Sequence, residues 1–343
     1  TVCASGCNHT TIAAAIAAAS AGDIIQVLDA THTEEGITID KNLTIQGQGQ
    51  TTTTVRAAAT QAAATDRVFT VNTGLTVTFQ NMTIQNGKSA NNGGGVHITC
   101  DASTNVTFTN VTLDNNLAEN SDGGGVYVTG ASGTVTFTNC VIKDNETVSS
   151  GGALGGGVYS DGATTLNFTR CTVSGNSCGK SGAGIRNDGS GTMKLINCTI
   201  YNNTAGAGAT GVVRGGGVYF AGTSTTDIIN CTIVENTIIN GTTKEGGGVL
   251  YGDNVTVNFT NSIIANNSGA TAGGGNDIRG TTTSNSETTS LAEDCTGDCP
   301  VFDYSSDANI ATSASACGNQ SFFTITGSDA ENNGTAPSGD IPT

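Results

Sequence analysis

The chain is poor in basic residues, tryptophan and proline. Its 343 residues include 12 Lys and Arg, against 28 Asp and Glu, with 3 Pro and no Trp. Basic residues this sparse cannot form a stripe that binds phosphates, which argues against a nucleic-acid partner. No apolar run reaches the length of about 18 residues that a membrane-spanning helix needs, so the sequence predicts no membrane-spanning segment.

Hydrophobic residues are also scarce, at 36% of the chain. A conventional core between two packed layers would be thin at this share. A structure that buries a narrow apolar column along its length needs fewer hydrophobic residues. Gly, Thr and Asn are abundant but follow a regular pattern, so the composition does not indicate disorder.

Two short phrases recur in step along the chain, 27 to 33 residues apart. The first is the glycine phrase GGGVY, and the second is NCVI or NCTI. Between them hydrophobic and polar residues alternate, as in TVTFTNCVI at 134–142, which is typical of strands. Each repeat is therefore predicted to hold three short strands. The glycine phrase stands at 123–127, 155–159 and 215–219, and the second phrase at 139–142, 197–200 and 230–233.

Three strands in each of many repeats predict an all-β fold, a parallel β-helix of about eight three-strand coils that bury their apolar faces on one another. The glycines are expected to supply a corner with positive φ. The Asn of the second phrase is expected to stack in a column at another corner, because Asn tolerates the left-handed region and its amides can form a ladder. Arg170 interrupts that column and predicts a local bulge or an outward-turned corner.

The two ends of the chain lack the repeat. Residues 1–23 are predicted to form an N-terminal cap with a short helix, in which Ile12 and Ile16 share one face. Residues 24–280 form the predicted β-helix, whose open end the cap protects from edge pairing. Residues 281–343 are interpreted as a C-terminal cap or assembly segment, in which SFFTITG at 321–327 is a strand candidate.

Four of the eleven cysteines occupy one position in successive repeats: Cys140, Cys171, Cys198 and Cys231. We interpret them as a column of buried thiols, since a buried Cys behaves as a small hydrophobe. Disulfides between neighbours stay open, but thiolates in one line cannot surround a tetrahedral ion, so no metal site is predicted. The disulfide candidates are the peripheral Cys3, Cys7, Cys295, Cys299 and Cys317.

The first residues, TVCASGCNHT, lack an initiator Met and a basic segment, which is typical of an exported chain after signal removal. We therefore expect a secreted or cell-surface protein. The sequence has sixteen N-x-S/T sequons, which are acceptors for N-glycosylation in exported proteins or, equally, a by-product of the repeat. The candidates for modification are Asn105, Asn145, Asn167, Asn202, Asn240, Asn254, Asn258, Asn266 and Asn333.

The segment from TTIAAAI to NLTIQGQG, followed by the GGGVY and NCTI repeats, resembles secreted right-handed parallel β-helix proteins. It is similar in particular to polymorphic outer-membrane-protein-like repeats, over about residues 1–280. The resemblance implies a right-handed coil. It implies little about function, because that fold carries lyases, hydrolases, adhesins and surface polymers.

Polysaccharide-cleaving relatives use clustered carboxylates, which in a β-helix would stand at one outward position of adjacent coils. The column that follows the core Phe or Leu holds Thr109, Thr138, Thr169 and Ile196 instead. The acids fall mostly in turns, and the three histidines, His9, His32 and His97, are far apart in sequence. We therefore predict no catalytic residue and no cofactor.

Two outward stripes remain as candidate contact surfaces. His97, Tyr127, Tyr159 and Tyr219 follow the glycine corner, where aromatic rings can stack on sugars, meet a partner or simply pack across coils. A Thr-x-Thr array at 76–78, 107–109 and 136–138 is the kind found in ice-binding solenoids, but Asn167, Lys194 and Asp227 interrupt it.

These observations favour a non-enzymatic extracellular structural or adhesive rod, glycosylated or not, as a subunit of a surface layer or filament. Its partners would be other copies of itself or glycans and proteins of a cell surface. The alternative is a polysaccharide lyase or glycoside hydrolase that acts on an extracellular glycan. Ice binding is a minor alternative.

Overall fold

The computed structural model describes residues 1–148, 152–271 and 274–280, together with the backbone of three further strands at 287–288, 291–292 and 295–297. The chain is an all-β right-handed parallel β-helix of about eight turns, which confirms the predicted fold class. Every strand pairing in these ranges is parallel, and each strand pairs in register with the equivalent strand of the next coil.

Most coils contribute four short strands rather than the predicted three. In the stretch TVTFTNCVI, Asn139 turns the chain at the predicted corner and separates two strands, Thr134–Thr138 and Val141–Lys143. We call the two resulting rows the first arm and the second arm. Thr76–Gln85 and Asn105–Asp114 run through both arms as continuous strands.

The other strands of the first arm are Ile24–Gln26, Leu43–Gln46, Thr134–Thr138, Thr165–Thr169, Met193–Ile196, Thr225–Ile229, Thr256–Thr260 and Glu287–Thr288. The second arm holds Thr31–Thr33, Thr54–Arg56, Val141–Lys143, Thr172–Ser174, Thr199–Tyr201, Thr232–Val234, Ile263–Ala265 and Leu291–Ala292.

Two more sheets close each coil, and a pair of strands extends one loop. The six-stranded sheet is Lys88–Ser89, Leu117–Glu119, Glu146–Val148, Ser177–Cys178, Thr204–Ala205 and Thr237–Ile238. The ten-stranded sheet is Ile37–Ile39, Phe69–Val71, Val96–Cys100, Val126–Gly130, Val158–Ser160, Ile185–Asn187, Val218–Phe220, Val249–Tyr251, Ile278–Gly280 and Cys295–Gly297. The pair is Val212–Arg214 with Thr243–Glu245.

The corner between the arms is a column of left-handed residues, as predicted. Asn81, Asn110 and Asn139 have φ between 53° and 58°, and their amides form a ladder, with Asn110 Nδ2 donating to Asn81 Oδ1 at 3.0 Å. The expected bulge at Arg170 is wrong. Arg170 takes the same conformation, with φ of 53°, and its Nε donates to Asn139 Oδ1 at 2.7 Å, so its guanidinium replaces an amide in the ladder.

A second row of asparagines is buried inside the coil, between the second arm and the six-stranded sheet. Asn176 is typical of the row: its Nδ2 donates to Asn203 Oδ1 at 2.9 Å and to the Ile142 carbonyl at 2.9 Å. Its own Oδ1 accepts from Nδ2 and from the backbone N–H of Asn145, both at 3.0 Å. This buried ladder consists of Asn116, Asn145, Asn176, Asn203, Asn236 and Asn267.

The buried ladder requires glycine at the third position of the phrase, because a Cβ atom there would collide with the ladder and with the next coil. A Cβ atom on Gly157 would lie 2.5 Å from the Gly184 carbonyl oxygen and 3.2 Å from Cγ of Asn176. In the last described coil Asp277 stands where the earlier coils have this glycine, and its Oδ1 accepts from Nδ2 of Asn267 at 2.8 Å. The ladder therefore ends on a carboxylate. The first glycine has the predicted role, with φ of 61° at Gly155.

Stacked hydrophobic columns fill the space between the sheets. The rings of Phe108, Phe137 and Phe168 lie parallel on one another, with centroids 4.8 and 4.6 Å apart. Each ring is fully buried, so every coil completes its core only on the next coil.

The N-terminal cap has the predicted short helix, Ile12–Ala18, which buries Ile12 and Ile16. The carboxylate of Glu34 accepts hydrogen bonds from the first backbone N–H groups of the helix, at Ile12 and Ala13, and also contacts Nε2 of the buried His32 at 2.9 Å. Cys3 and Cys7 form a disulfide, which confirms that pair.

The sheets continue past residue 280, where we expected the β-helix to end. Glu287–Thr288, Leu291–Ala292 and Cys295–Gly297 pair with the preceding coil, because one more repeat follows without its glycine phrase. Disulfides of Cys295, Cys299 and Cys317 stay predictions. Cys299, Cys317, Asn333 and the strand candidate at 321–327 lie outside the described residues.

We expect Asn176→Ala to destabilise the fold by about 2–4 kcal/mol, because it opens a small cavity and leaves buried donors without acceptors. Denaturant unfolding followed by circular dichroism measures the effect. Asn105→Ala is the control, since Asn105 is exposed on the first arm. Equal stability of the two variants would contradict a structural role for the buried ladder.

Candidate functional site

The outward column of the ten-stranded sheet gathers the aromatic residues singled out from the sequence. His97, Tyr127 and Tyr159 are in register on neighbouring strands, with ring centroids 5.2 and 5.5 Å apart. Arg186 follows in the same column and places its guanidinium 4.6 Å from the ring centroid of Tyr219. The column is thus one continuous stack of rings and a cation.

The tyrosine rings do not form an exposed stripe, and that expectation is wrong. Tyr127, Tyr159 and Tyr219 are only 6%, 6% and 8% exposed. Each ring lies between column neighbours, and the glycine phrase of its own coil passes against its Cβ atom, as Gly155 does at Tyr159. The ring faces are therefore closed to a sugar, and only His97 is half-buried.

Two carboxylates meet the tyrosine hydroxyls at the edge of this column. The hydroxyl of Tyr127 donates to Asp161 Oδ2, and that of Tyr159 donates to Asp188 Oδ2 at 3.0 Å. Arg186 also donates to both oxygens of Asp188, at 2.7 and 2.8 Å. We call Asp122, Tyr127, Tyr159, Asp161, Arg186 and Asp188 the tyrosine–aspartate cluster.

Asp161 and Asp188 occupy one position in adjacent coils, which the sequence analysis missed. The backbone N–H of Asp161 donates to Val128, and that of Asp188 donates to the equivalent Ser160 one coil further on. Their Cα atoms are therefore separated by about one strand spacing, ~4.8 Å. A sequence signal existed, because each follows the first glycine of its phrase by six residues, as in GGGVYSD and GAGIRND.

Burial, hydrogen bonds and neighbouring charges shift the pKa values of several groups in this region. Burial raises the pKa of Asp122, opposed by the Arg186 charge and assisted by Asp188 and Asp161. Burial, followed by the Asp161 hydrogen bond, raises the pKa of Tyr127, and burial also raises that of Tyr159. Burial and then Arg67 lower the pKa of His97 to about 4, so His97 is neutral at pH 7.

The first arm presents a different, flat surface. Thr78, Thr107 and Thr136 are in register, and the column continues through Asn167 and Lys194. Their side chains are half-buried or exposed, whereas the tyrosines of the ten-stranded sheet are buried. Charged residues interrupt the Thr array as expected from the sequence, so the surface does not favour ice binding.

The candidate glycosylation sites among the described residues fall into three groups according to the exposure of the Asn side chain. Asn145 belongs to the buried ladder and is 0% exposed, so the folded chain has no room for a glycan there and that candidate is wrong. Asn167 and Asn258 are half-buried on the first arm. Exposed side chains are those of Asn105, Asn202, Asn240, Asn254 and Asn266, whose modification stays a prediction.

The four-thiol column is buried and unpaired, as expected: Cys140, Cys171, Cys198 and Cys231 are free thiols. Cys100 and Cys178 are also free and buried, which the sequence analysis did not foresee. Among the described residues, no group of three or more His, Cys, Asp or Glu side chains is arranged to hold a metal ion.

We expect Tyr127→Phe/Tyr159→Phe to reduce the loss of stability at alkaline pH. In the unfolded chain tyrosine ionises near pH 10, whereas both folded pKa values are raised. Their stabilising effect is therefore present below about pH 10 and is lost as pH rises toward the folded pKa. Unfolding midpoints at pH 8 to 11 give the slope, with Thr136→Val as the control. An unchanged slope in the double variant would contradict the burial of these hydroxyls.

Comparisons with known proteins find one family model and two distant solved structures. A family model described as a right-handed β-helix region matches residues 65–233. The solved structure of pectate lyase Pel9A has 16% identity and a TM-score of 0.49, over 95% of this chain and 82% of its own. A pectin methylesterase in complex with a hexasaccharide has 16% identity and a TM-score of 0.37, over 81% and 79%.

These likenesses are too distant to support an argument about activity, and no curated protein matches the chain. The finer resemblance to outer-membrane-protein-like repeats stays a prediction. In the part of the chain that the structure describes, no helix has the length and apolar character needed to cross a membrane. The fold and the repeat show a right-handed parallel β-helix built from stacked repeats, and the family model agrees with this architecture over residues 65–233.

Proposed function

We propose that the chain is a non-enzymatic structural or adhesive rod that acts outside the cell. The observation that carries this proposal is the regular first arm, on which short polar side chains are in register over four successive coils: Thr78, Thr107, Thr136 and Asn167. A flat, regular surface suits contact with another copy of the chain or with an extended glycan, because one contact can repeat with every coil.

The use of the polar side chains supports the same proposal. The side-chain amides of the buried ladder and of the corner column form hydrogen bonds between coils. In the tyrosine–aspartate cluster, Asp161 and Asp188 accept from tyrosine hydroxyls, and Asp122 accepts from the backbone of Leu154 at 2.8 Å. These groups stabilise the rod itself and are engaged before any substrate arrives.

Glycosylation of the exposed sequons is part of this proposal. Asn202 and Asn266 stand at the left-handed corner beside the buried ladder, each with a positive φ. Asn105 and Asn254 lie on the first arm or in the turn before it. Glycans at these sites would surround the flat surface without entering the core.

The test replaces two threonines in the middle of the flat surface. We expect Thr107→Arg/Thr136→Arg to abolish self-association or adhesion to glycan-coated surfaces, because two bulky charges prevent close contact along the arm. Sedimentation velocity, negative-stain microscopy and glycan-array binding measure this. Thr210→Arg, in an exposed loop that follows the six-stranded sheet, should behave as the unaltered chain. A chain that is monomeric in all conditions and binds no surface would refute the proposal.

A second candidate function, cleavage of a polysaccharide, rests on the Asp161–Asp188 pair. Retaining glycosidases use two carboxylates about 5 Å apart, and Asp161 and Asp188 stand at one position of adjacent coils with Cα atoms ~4.8 Å apart. A third carboxyl with a raised pKa, Asp122, could donate a proton. This candidate requires both carboxylates to leave their tyrosine and arginine partners when substrate binds.

The enzymatic candidate predicts new reducing ends or unsaturated products from at least one member of a glycan panel. Asp188→Asn should then lower the rate by about 100-fold or more, because it removes one member of the pair. Thr210→Arg should leave the rate unchanged. A panel without products, together with assembly or adhesion, would rule out this candidate.

A further inference from the structure

The column of four thiols forms a line of sulfur atoms along the axis of the β-helix. The backbone N–H groups that follow each Cys hold the coils together, as Thr172 donates to the Cys140 carbonyl at 2.9 Å and Thr199 donates to Cys171 at 2.9 Å. Flanking residues are in register, with Val141 opposite Thr172. The Cys side chains therefore repeat at the strand spacing of about 4.8 Å.

This spacing explains why the thiols are free. A disulfide needs Cβ atoms about 3.5–4.5 Å apart, closer than side chains on in-register parallel strands. Instead each thiol donates to a carbonyl, as Cys171 Sγ does to Phe137 at 3.4 Å. All four side chains are 1–2% exposed, so the line of sulfurs lies in an apolar interior.

The same spacing fits a metal ion between two sulfurs. A bond from thiolate sulfur to a d¹⁰ ion is about 2.3 Å, so a linear sulfur–metal–sulfur unit spans about 4.6 Å. We infer that Cys140, Cys171, Cys198 and Cys231 form a binding site for soft, thiol-seeking cations, each held linearly between the thiolates of two successive coils. Soft thiolate ligands select such ions over hard cations.

Charge balance identifies the preferred ion. In an apolar interior an uncompensated charge is costly, and two thiolates with one divalent ion form a neutral unit. Hg²⁺ forms such units, whereas Ag⁺ or Cu⁺ leaves one negative charge for every pair of thiolates. Each Hg²⁺ that binds two thiols forms two sulfur–metal bonds and releases two protons to solvent. Because binding releases protons, uptake should strengthen as pH rises.

The column of four thiols ends at a residue without a thiol on each side, and this limits the number of ions that it can bind. Val111 precedes Cys140 in the column, and Ser262 follows Cys231. Four thiols in pairs hold two divalent ions. Cys100 lies opposite Gly130, and Cys178 lies between Thr147 and Ala205, so neither has a thiol neighbour across the sheet. They serve as internal controls for isolated thiols.

The column itself shows that serine fits in place of cysteine. Ser262 Oγ accepts from the Cys231 N–H at 3.1 Å and donates to the Ile228 carbonyl at 3.2 Å. Cys→Ser variants in this column should therefore fold, which circular dichroism and thermal unfolding verify. All variants, and the four-thiol chain with which they are compared, carry Cys295→Ser, Cys299→Ser and Cys317→Ser. These three cysteines therefore do not contribute to metal uptake.

Two variants with equal numbers of column thiols form the decisive comparison. Cys198→Ser/Cys231→Ser keeps the adjacent pair Cys140 and Cys171, whereas Cys171→Ser/Cys231→Ser keeps Cys140 and Cys198, which are two coils or about 9.6 Å apart. HgCl₂ is added to the folded chain and also during refolding, so that burial does not block entry. Native mass spectrometry, sulfur-to-mercury charge-transfer absorbance and proton release are the readouts.

We expect the four-thiol chain to bind about two Hg²⁺ and the adjacent-pair variant about one, with about two protons released for each ion. The alternate variant should show no bis-thiolate absorbance. Cys100→Ser/Cys178→Ser should match the four-thiol chain. Equal bis-thiolate signals from the adjacent and alternate variants, or no uptake by the four-thiol chain in either protocol, would overturn the inference.

Discussion

The buried asparagine ladder is the interaction on which the rest of this β-helix depends. Each amide binds the amide of the next coil and a carbonyl of the coil before, so three consecutive coils share one set of hydrogen bonds. A buried amide without such partners would cost more than its hydrogen bonds contribute. The ladder therefore favours one register, because a shifted coil would leave these groups without partners.

The ladder also explains the composition of the chain. A row of amides inside a narrow coil leaves no space for a Cβ atom on the facing strand, so the third glycine of each phrase is required by a side chain some twenty residues away in another strand. Asp277 stands where this glycine is absent and supplies the acceptor that a further asparagine would have provided. Gly and Asn recur together because the glycine, which has no Cβ atom, leaves the space that the asparagine side chain occupies.

The outer surfaces differ in what they leave available. On the ten-stranded sheet, rings, carboxylates and Arg186 bind one another, and their polar groups are engaged within the molecule. On the first arm, the outward residues are in register with their neighbours in the coils above and below, and their side chains are half-buried or exposed. Because of this contrast, we assign the proposed contact surface to the first arm. The ten-stranded sheet stabilises the rod, whereas the first arm can receive a partner.

The sequence by itself determined the repeat, the parallel coil, the left-handed asparagine corner and the column of cysteines, because each depends on one position that recurs with a fixed period. It could not reveal that the tyrosines are buried or that Asn145 is internal, since alternation gives the side of a strand but not what covers it. The common position of Asp161 and Asp188 could have been read from their offset after the glycine phrase, but their hydrogen bonds with the tyrosine hydroxyls could not. Tertiary structure decided these points, because burial and contact between coils depend on segments that are distant along the chain and meet only when the coils stack.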